Sequence, residues 1–193
     1  MNRRNSTLKL TIMALAVVIN IVGAFVATGL KLPVFLDTIG TFLSAFLFGP
    51  IGGVLTGSVT SLINGLTFDP YSLYFMPVQI IIGLSAGLGY RKGLFKGKAI
   101  ALGTSVVTIA GSLVASLIAA YVFGGITSSG TAFVVMYLKE AGVNIVTSVF
   151  STQILFDLLD KAMAVFLVLT LIKALPKDMK KIIEKNNEIK IGA

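Results

Sequence analysis

Four side chains able to bind a polar solute, Asp37, Asn64, Asp69 and Gln79, sit in a stretch (32–79) otherwise apolar enough to lie in a bilayer. The stretch is broken at Gly49-Pro50, Asp69-Pro70 and Pro77. Carboxylates and amides are costly in hydrocarbon, so they face a protein interior or an aqueous cavity. Asp37-Thr38 opens an apolar run, where Asp37 reads either as a helix N-cap or as a carboxylate at a pocket mouth. Asp69-Pro70 reads as a turn, and Tyr71 and Tyr74 beside it as interfacial aromatics. Taken together with Asn64 and Gln79, the same residues supply two amides, a carboxylate and two phenols within sixteen residues. That set suits a pocket for a polar solute.

A second polar group lies near the C-terminus. Asn144, Thr147 and Ser151 follow i, i+3, i+7 spacing, with Asp157 deeper. Asp157 and Lys161 are four apart and can pair on one helix, which reads as a structural ion pair rather than a relay. Asp160 stands one residue off that line. No catalytic constellation accompanies these residues: there is no nucleophile–base pair, and no Gly-Lys-Ser/Thr closes a phosphate loop. Without Cys or His there is no thiol chemistry, no Cys/His metal site and no histidine acid–base catalysis. The sequence therefore implies neither an enzyme, a metal nor a cofactor.

The elements that must position these groups are transmembrane helices. Of 193 residues, 55% are hydrophobic and 12% charged, and mean hydropathy is +0.94. A soluble domain could not cover so much apolar surface. The expected fold is all-α, an integral membrane protein forming one compact six-helix bundle over 1–193 with no soluble domain. Spans are expected at about 8–30, 35–48, 51–66, 71–90, 99–123 and 144–175. Spans 2 and 3 are short, about 20 and 24 Å against a core of about 30 Å, which leaves a depression above them. Pro77 kinks span 4 or delays its start. The stretch 124–143 is polar and Gly/Ser/Thr-rich, and the tail 176–193 reads as an amphipathic helix.

Net charge is +8, and thirteen of the sixteen basic residues fall at 3–9, 91–98 and 173–190, each cluster flanking an apolar segment. This is the positive-inside pattern, so both termini and the 91–98 loop are expected on the cytoplasmic side of the cell membrane. Anionic lipid head groups, not nucleic acid, are the partners this charge implies. Small residues recur every four positions in span 3 (Gly53, Gly57, Ser61, Gly65) and span 1 (Ala16, Asn20, Ala24, Thr28), with Gly83 and Gly87 in span 4. Such lines serve close helix packing, within the chain or against another membrane protein.

The chain resembles the substrate-binding S components of energy-coupling factor (ECF) transporters, which import vitamins. The resemblance covers nearly the whole length. It rests on six short spans in under 200 residues, LDTIGT opening span 2, GPIGGVLTG leading into span 3, and DKAMAVFLVLTLIKALPK closing span 6. It implies an outward-facing pocket for a vitamin-like small molecule, formed by outer loops and the last three helices. It also implies docking on a membrane scaffold subunit (EcfT) driven by two cytoplasmic ATPase subunits. The implied substrate-binding positions are Asp37, Thr38, Asn64, Asp69, Tyr71, Tyr74, Gln79, Asn144, Thr147 and Ser151, with the loop 31–35 as part of a gate. The family's Ala-x-x-x-Ala docking line falls on Ala16, Asn20 and Ala24, where Asn20 departs from the pattern. Few basic residues outside favour a neutral heterocycle over an anion. The alternatives are a self-sufficient carrier and a structural membrane protein with no solute.

Overall fold

The computed structural model of the chain describes residues 3–175, and these form eight α-helices and no strand. α1 (Arg3–Gly29), α2 (Ile39–Phe48), α3 (Pro50–Thr67), α5 (Met76–Arg91), α6 (Ile100–Tyr121) and α8 (Ile145–Ala174) are helices that overlap the ranges where spans were expected. α4 (Tyr71–Tyr74) is a separate turn of helix, because Pro77 falls in the first turn of α5. Proline has no N–H to give there, so it delays the helix and does not kink it. α7 (Thr131–Glu140) occupies part of the stretch expected to be irregular. Glycines flank it and it is only ten residues long, yet Ala132 and Val135 bury at i, i+3 spacing. The expected tail helix lies outside the described residues.

Ser6–Gly29 and Gly97–Tyr121 are long and apolar enough to cross a membrane, whereas α2 is apolar but only ten residues long. α8 has length to spare at 30 residues but carries Asp157, Asp160 and Lys161 in its middle.

The small residues do the packing. A Cβ on Gly83 would stand 2.5 Å from the Gly53 carbonyl carbon, and one on Gly87 2.5 Å from Pro50 Cα, so α3 and α5 meet backbone to backbone. Gly57 lies against Gln79 and Gly65 against Leu73. In lipid, where apolar burial gives helices little reason to associate, such close approach is what holds them. The apolar core is aromatic at one end. Phe46 stacks on Tyr90 (centroids 4.4 Å apart) and touches Phe95 (4.7 Å).

The line Ala16, Asn20 and Ala24 is part of this interior, not a free docking face. Ala16 and Asn20 are fully buried, and Gly40 seats directly on Ala16. Asn20 Oδ1 accepts the Gly40 N–H at 2.6 Å, and its Nδ2 donates to the Thr41 and Thr60 hydroxyls at 3.0 and 3.2 Å. A buried amide with every contact satisfied ties α1 to α2 and α3. That polar replacement in a small-residue line is a structural joint.

The connections sort to two ends. Lys9 Nζ stands 5.4 Å over the Phe48 ring, and the Arg91 guanidinium packs against Gly49, which puts the start of α1, the α2–α3 turn and the end of α5 together. At the other end, Gly130 N–H donates to Leu32 C=O (3.2 Å) and Lys31 Nζ to Ser128 C=O (3.1 Å). There the 31–38 connection meets the segment leading into α7.

Candidate functional site

A cavity opens at this second end. Its walls are Phe35, Asp37 and Thr38 from the α1–α2 connection, Asp69, Tyr71, Ser72 and Phe75 around α4, and Val78, Gln79 and Ile82 from α5. Ala115 and Ala119 of α6, the segment 127–129, and Gln153, Asp157 and Lys161 of α8 complete it. Counted as the space open to the centres of water molecules, its volume is about 80 Å³, room for several waters or one compact solute. Phe35, Tyr71 and Phe75 give it flat apolar faces, and the polar groups converge from different elements, as solute pockets require.

Gln79 is fixed in orientation. Its Nε2 donates to the Asp37 carbonyl (3.1 Å) and to Asp37 Oδ2 (2.9 Å), while its Oε1 accepts the Thr41 hydroxyl (3.0 Å). Thr41 in turn accepts from Asn20, so a buried chain of hydrogen bonds runs from α1 to the cavity wall. Because both ends of the amide are engaged, the side chain cannot flip without losing a partner. Asp69 Oδ2 accepts the Ser72 hydroxyl at 2.7 Å, and its buried Oδ1 has no partner among the described residues.

The inner wall is ionic. Lys161 Nζ donates to Asp157 Oδ1 at 2.7 Å and to Asp160 Oδ2 at 3.1 Å, and it stands 5.4 Å from the centre of the Phe35 ring. Asp157 Oδ2 accepts the Ser112 hydroxyl at 2.6 Å. Asp160 does more than its offset position in the sequence suggested: its Oδ1 accepts the N–H groups of Phe35 (3.1 Å) and Leu36 (2.8 Å), and Thr38 Oγ1 donates to its Oδ2 at 3.4 Å. Three charges buried in a membrane protein are tolerated when paired and hydrogen-bonded in this way. The Asp157–Lys161 pair is present as expected, and it also lines the cavity, which its reading as purely structural did not include.

Asp37, Thr38, Asp69, Tyr71 and Gln79 line the cavity together, and five other expected positions do not. Asn64 is buried in α3 and is not part of the lining. Tyr74 is 56% exposed and meets Phe123 edge-on. Asn144 caps α8 through the Val146 N–H (2.9 Å), and Thr147 and Ser151 share its exposed face. Six residues separate Ser151 from Asp157, about 240° round a helix at 100° per residue, so the two cannot share a face. The residues of α8 that turn inward include Ser148, Thr152, Gln153, Asp157 and Lys161. Gln153 escaped the sequence reading although it stands four before Asp157, the spacing that marks a shared face.

A model of the family described as "ECF transporter, substrate-specific component" matches residues 8–172. The chain belongs to that family. It is therefore a membrane protein and the substrate-specific subunit of a transporter, not an enzyme. No curated protein and no solved structure matches the chain. For this S component the solute-contacting residues must be argued from its own cavity. The candidates from α8 are Gln153, Asp157 and Lys161 in place of Asn144, Thr147 and Ser151.

Proposed function

We propose that this S component captures a vitamin-like small molecule from outside the cell in the cavity between the 31–38 connection, α4, α5, α6 and α8. It then delivers the solute with a membrane scaffold subunit (EcfT) powered by two cytoplasmic ATPases. The observation that carries this reading is the convergence of Asp37, Gln79, Gln153, Asp157 and Lys161 on one cavity beneath a layer of loops, in a chain of this family. Six of the eight helices cross or enter the bilayer. Both termini and the 91–98 loop are cytoplasmic, as the basic clusters require. The cavity mouth then faces outward, beside the 31–38 and 124–130 segments. Lys96→Cys stays unlabelled by an impermeant thiol reagent in intact cells while Ile126→Cys is labelled; the reverse pattern contradicts the orientation.

Transport itself is tested by uptake of radiolabelled vitamins into cells expressing the chain with or without a scaffold and ATPase module. Uptake is expected only with the module. Equal uptake without it would make the chain a self-sufficient carrier.

A further inference from the structure

Charge in the cavity is unbalanced. Asp37, Asp69 and Asp157 face it, against one cation, Lys161. That ammonium is already committed to two carboxylates, those of Asp157 and Asp160, and stands against the Phe35 ring. It has little left to offer an anion. Both Asp157 oxygens are engaged, by Lys161 and Ser112. Asp37 and Asp69 are different. Each has one oxygen bonded, to Gln79 and Ser72; the other Asp69 oxygen has no partner among the described residues, and the other Asp37 oxygen accepts no hydrogen bond among them, although the Lys161 charge acts on that carboxylate from a distance.

A second observation points into the same space. Gln153 is 7% exposed, lines the cavity, and makes no side-chain hydrogen bond among the described residues. Its amide atoms are open to the cavity and free to bond a guest there. Its carbonyl accepts and its NH₂ donates, so it can read a polar substituent on a ring.

We infer that the solute this cavity takes is a cation, a ring compound carrying a protonated amine, an amidinium or a quaternary nitrogen. The open oxygens of Asp37 and Asp69 neutralise its charge, Tyr71 and Phe75 bound its ring, and Gln153 bonds a polar substituent. This rests on the reading of the cavity as the solute site. It replaces the expectation of a neutral heterocycle, which could not see that Lys161 is spent on Asp157 and Asp160. An uncompensated excess of negative charge in a low-dielectric pocket favours a positive guest and repels a negative one.

The test uses the purified full-length chain in detergent, equilibrated with an equimolar mixture of ring compounds in three charge classes. Thiamin and 1-methylnicotinamide are the cations, nicotinamide and pyridoxine the neutral members, and nicotinate and biotin the anions. Free compounds are removed and bound ones identified by mass spectrometry. The cations are expected to be retained at least about tenfold over the others, and Asp37→Asn or Asp69→Asn to lower that retention about 10- to 100-fold. Retention of a neutral or anionic member instead overturns the cation assignment while leaving solute capture standing. Retention of none by a folded protein overturns both, and retention of the cations unchanged in both variants overturns the assignment of their charge to Asp37 and Asp69.

Discussion

Asp160 on α8 accepts the backbone N–H of Leu36 at 2.8 Å, across 124 residues of chain. Leu36 has a φ of 55°, a left-handed conformation unusual for a side chain of this size, and the same carboxyl oxygen holds the N–H of Phe35. The other oxygen of Asp160 holds Lys161, which lines the cavity. One carboxylate therefore binds the connection at the cavity rim to the ionic wall inside.

Asp160→Ala removes this joint and leaves Lys161 with a single carboxylate. Breaking a buried pair costs about 3–5 kcal/mol. The variant should melt well below the wild type in detergent, and its 31–38 segment should become open to proteolysis. An unchanged melting temperature would show that Asp160 carries little of the loop's order.

Helix contact through glycine gives a second expectation. Gly83→Val places atoms where the Gly53 backbone already lies, and overpacking of this kind costs at least about 1–3 kcal/mol. Aggregation or a clear fall in melting temperature is expected, whereas Gly93→Ala, with nothing within 4 Å of its added carbon, should cost less. Equal behaviour of the two variants would count against close α3–α5 packing, because Gly93, at a φ of 78°, bears backbone strain alone.

Asn20→Leu leaves the Gly40 N–H and the Thr41 and Thr60 hydroxyls short of a buried partner, a penalty of about 1–3 kcal/mol for each group left unsatisfied. Ala16→Trp drives an indole into Gly40. Both should impair folding and thereby uptake. Normal folding with selectively lost uptake in both would restore this line as a docking face.

Asn144→Ala removes the N-cap of α8 and should cost about 1 kcal/mol of stability, while solute affinity stays within twofold of wild type. A tenfold loss of affinity in a folded protein would place the outer end of α8 in the site.

The sequence showed the helices through apolar runs ended by Pro and Gly, and the ion pair through its i, i+4 spacing. It also pointed to Asp37 and Gln79, which line the cavity, because a carboxylate and an amide in apolar surroundings have few places to go. Which way α8 faces was harder. Polar residues lie on both its faces, Ser151 on one and Gln153 on the other, so composition alone does not pick the inner side. Asp157 does pick it, since Gln153 is four residues away and Ser151 six. Asp160's bond to Leu36 and the meeting of Leu32 with Gly130 depend on loops from distant parts of the chain, and no local pattern encodes them. α7 hid in a stretch whose glycines and serines describe its flanks.

The cavity beside Gln79 and Asp37 is expected to hold the transported solute. Extraction of small molecules from purified wild-type, Gln79→Ala and Ser151→Ala proteins, followed by mass spectrometry, tests it most directly. Gln79→Ala removes the amide that orients the Asp37 carboxylate at the cavity wall and should weaken binding about five- to 150-fold. Wild type and Ser151→Ala are expected to carry the same compound at comparable stoichiometry, and Gln79→Ala, still folded, to have lost it. The same compound retained equally by all three, or lost only from Ser151→Ala, would place the solute outside this cavity.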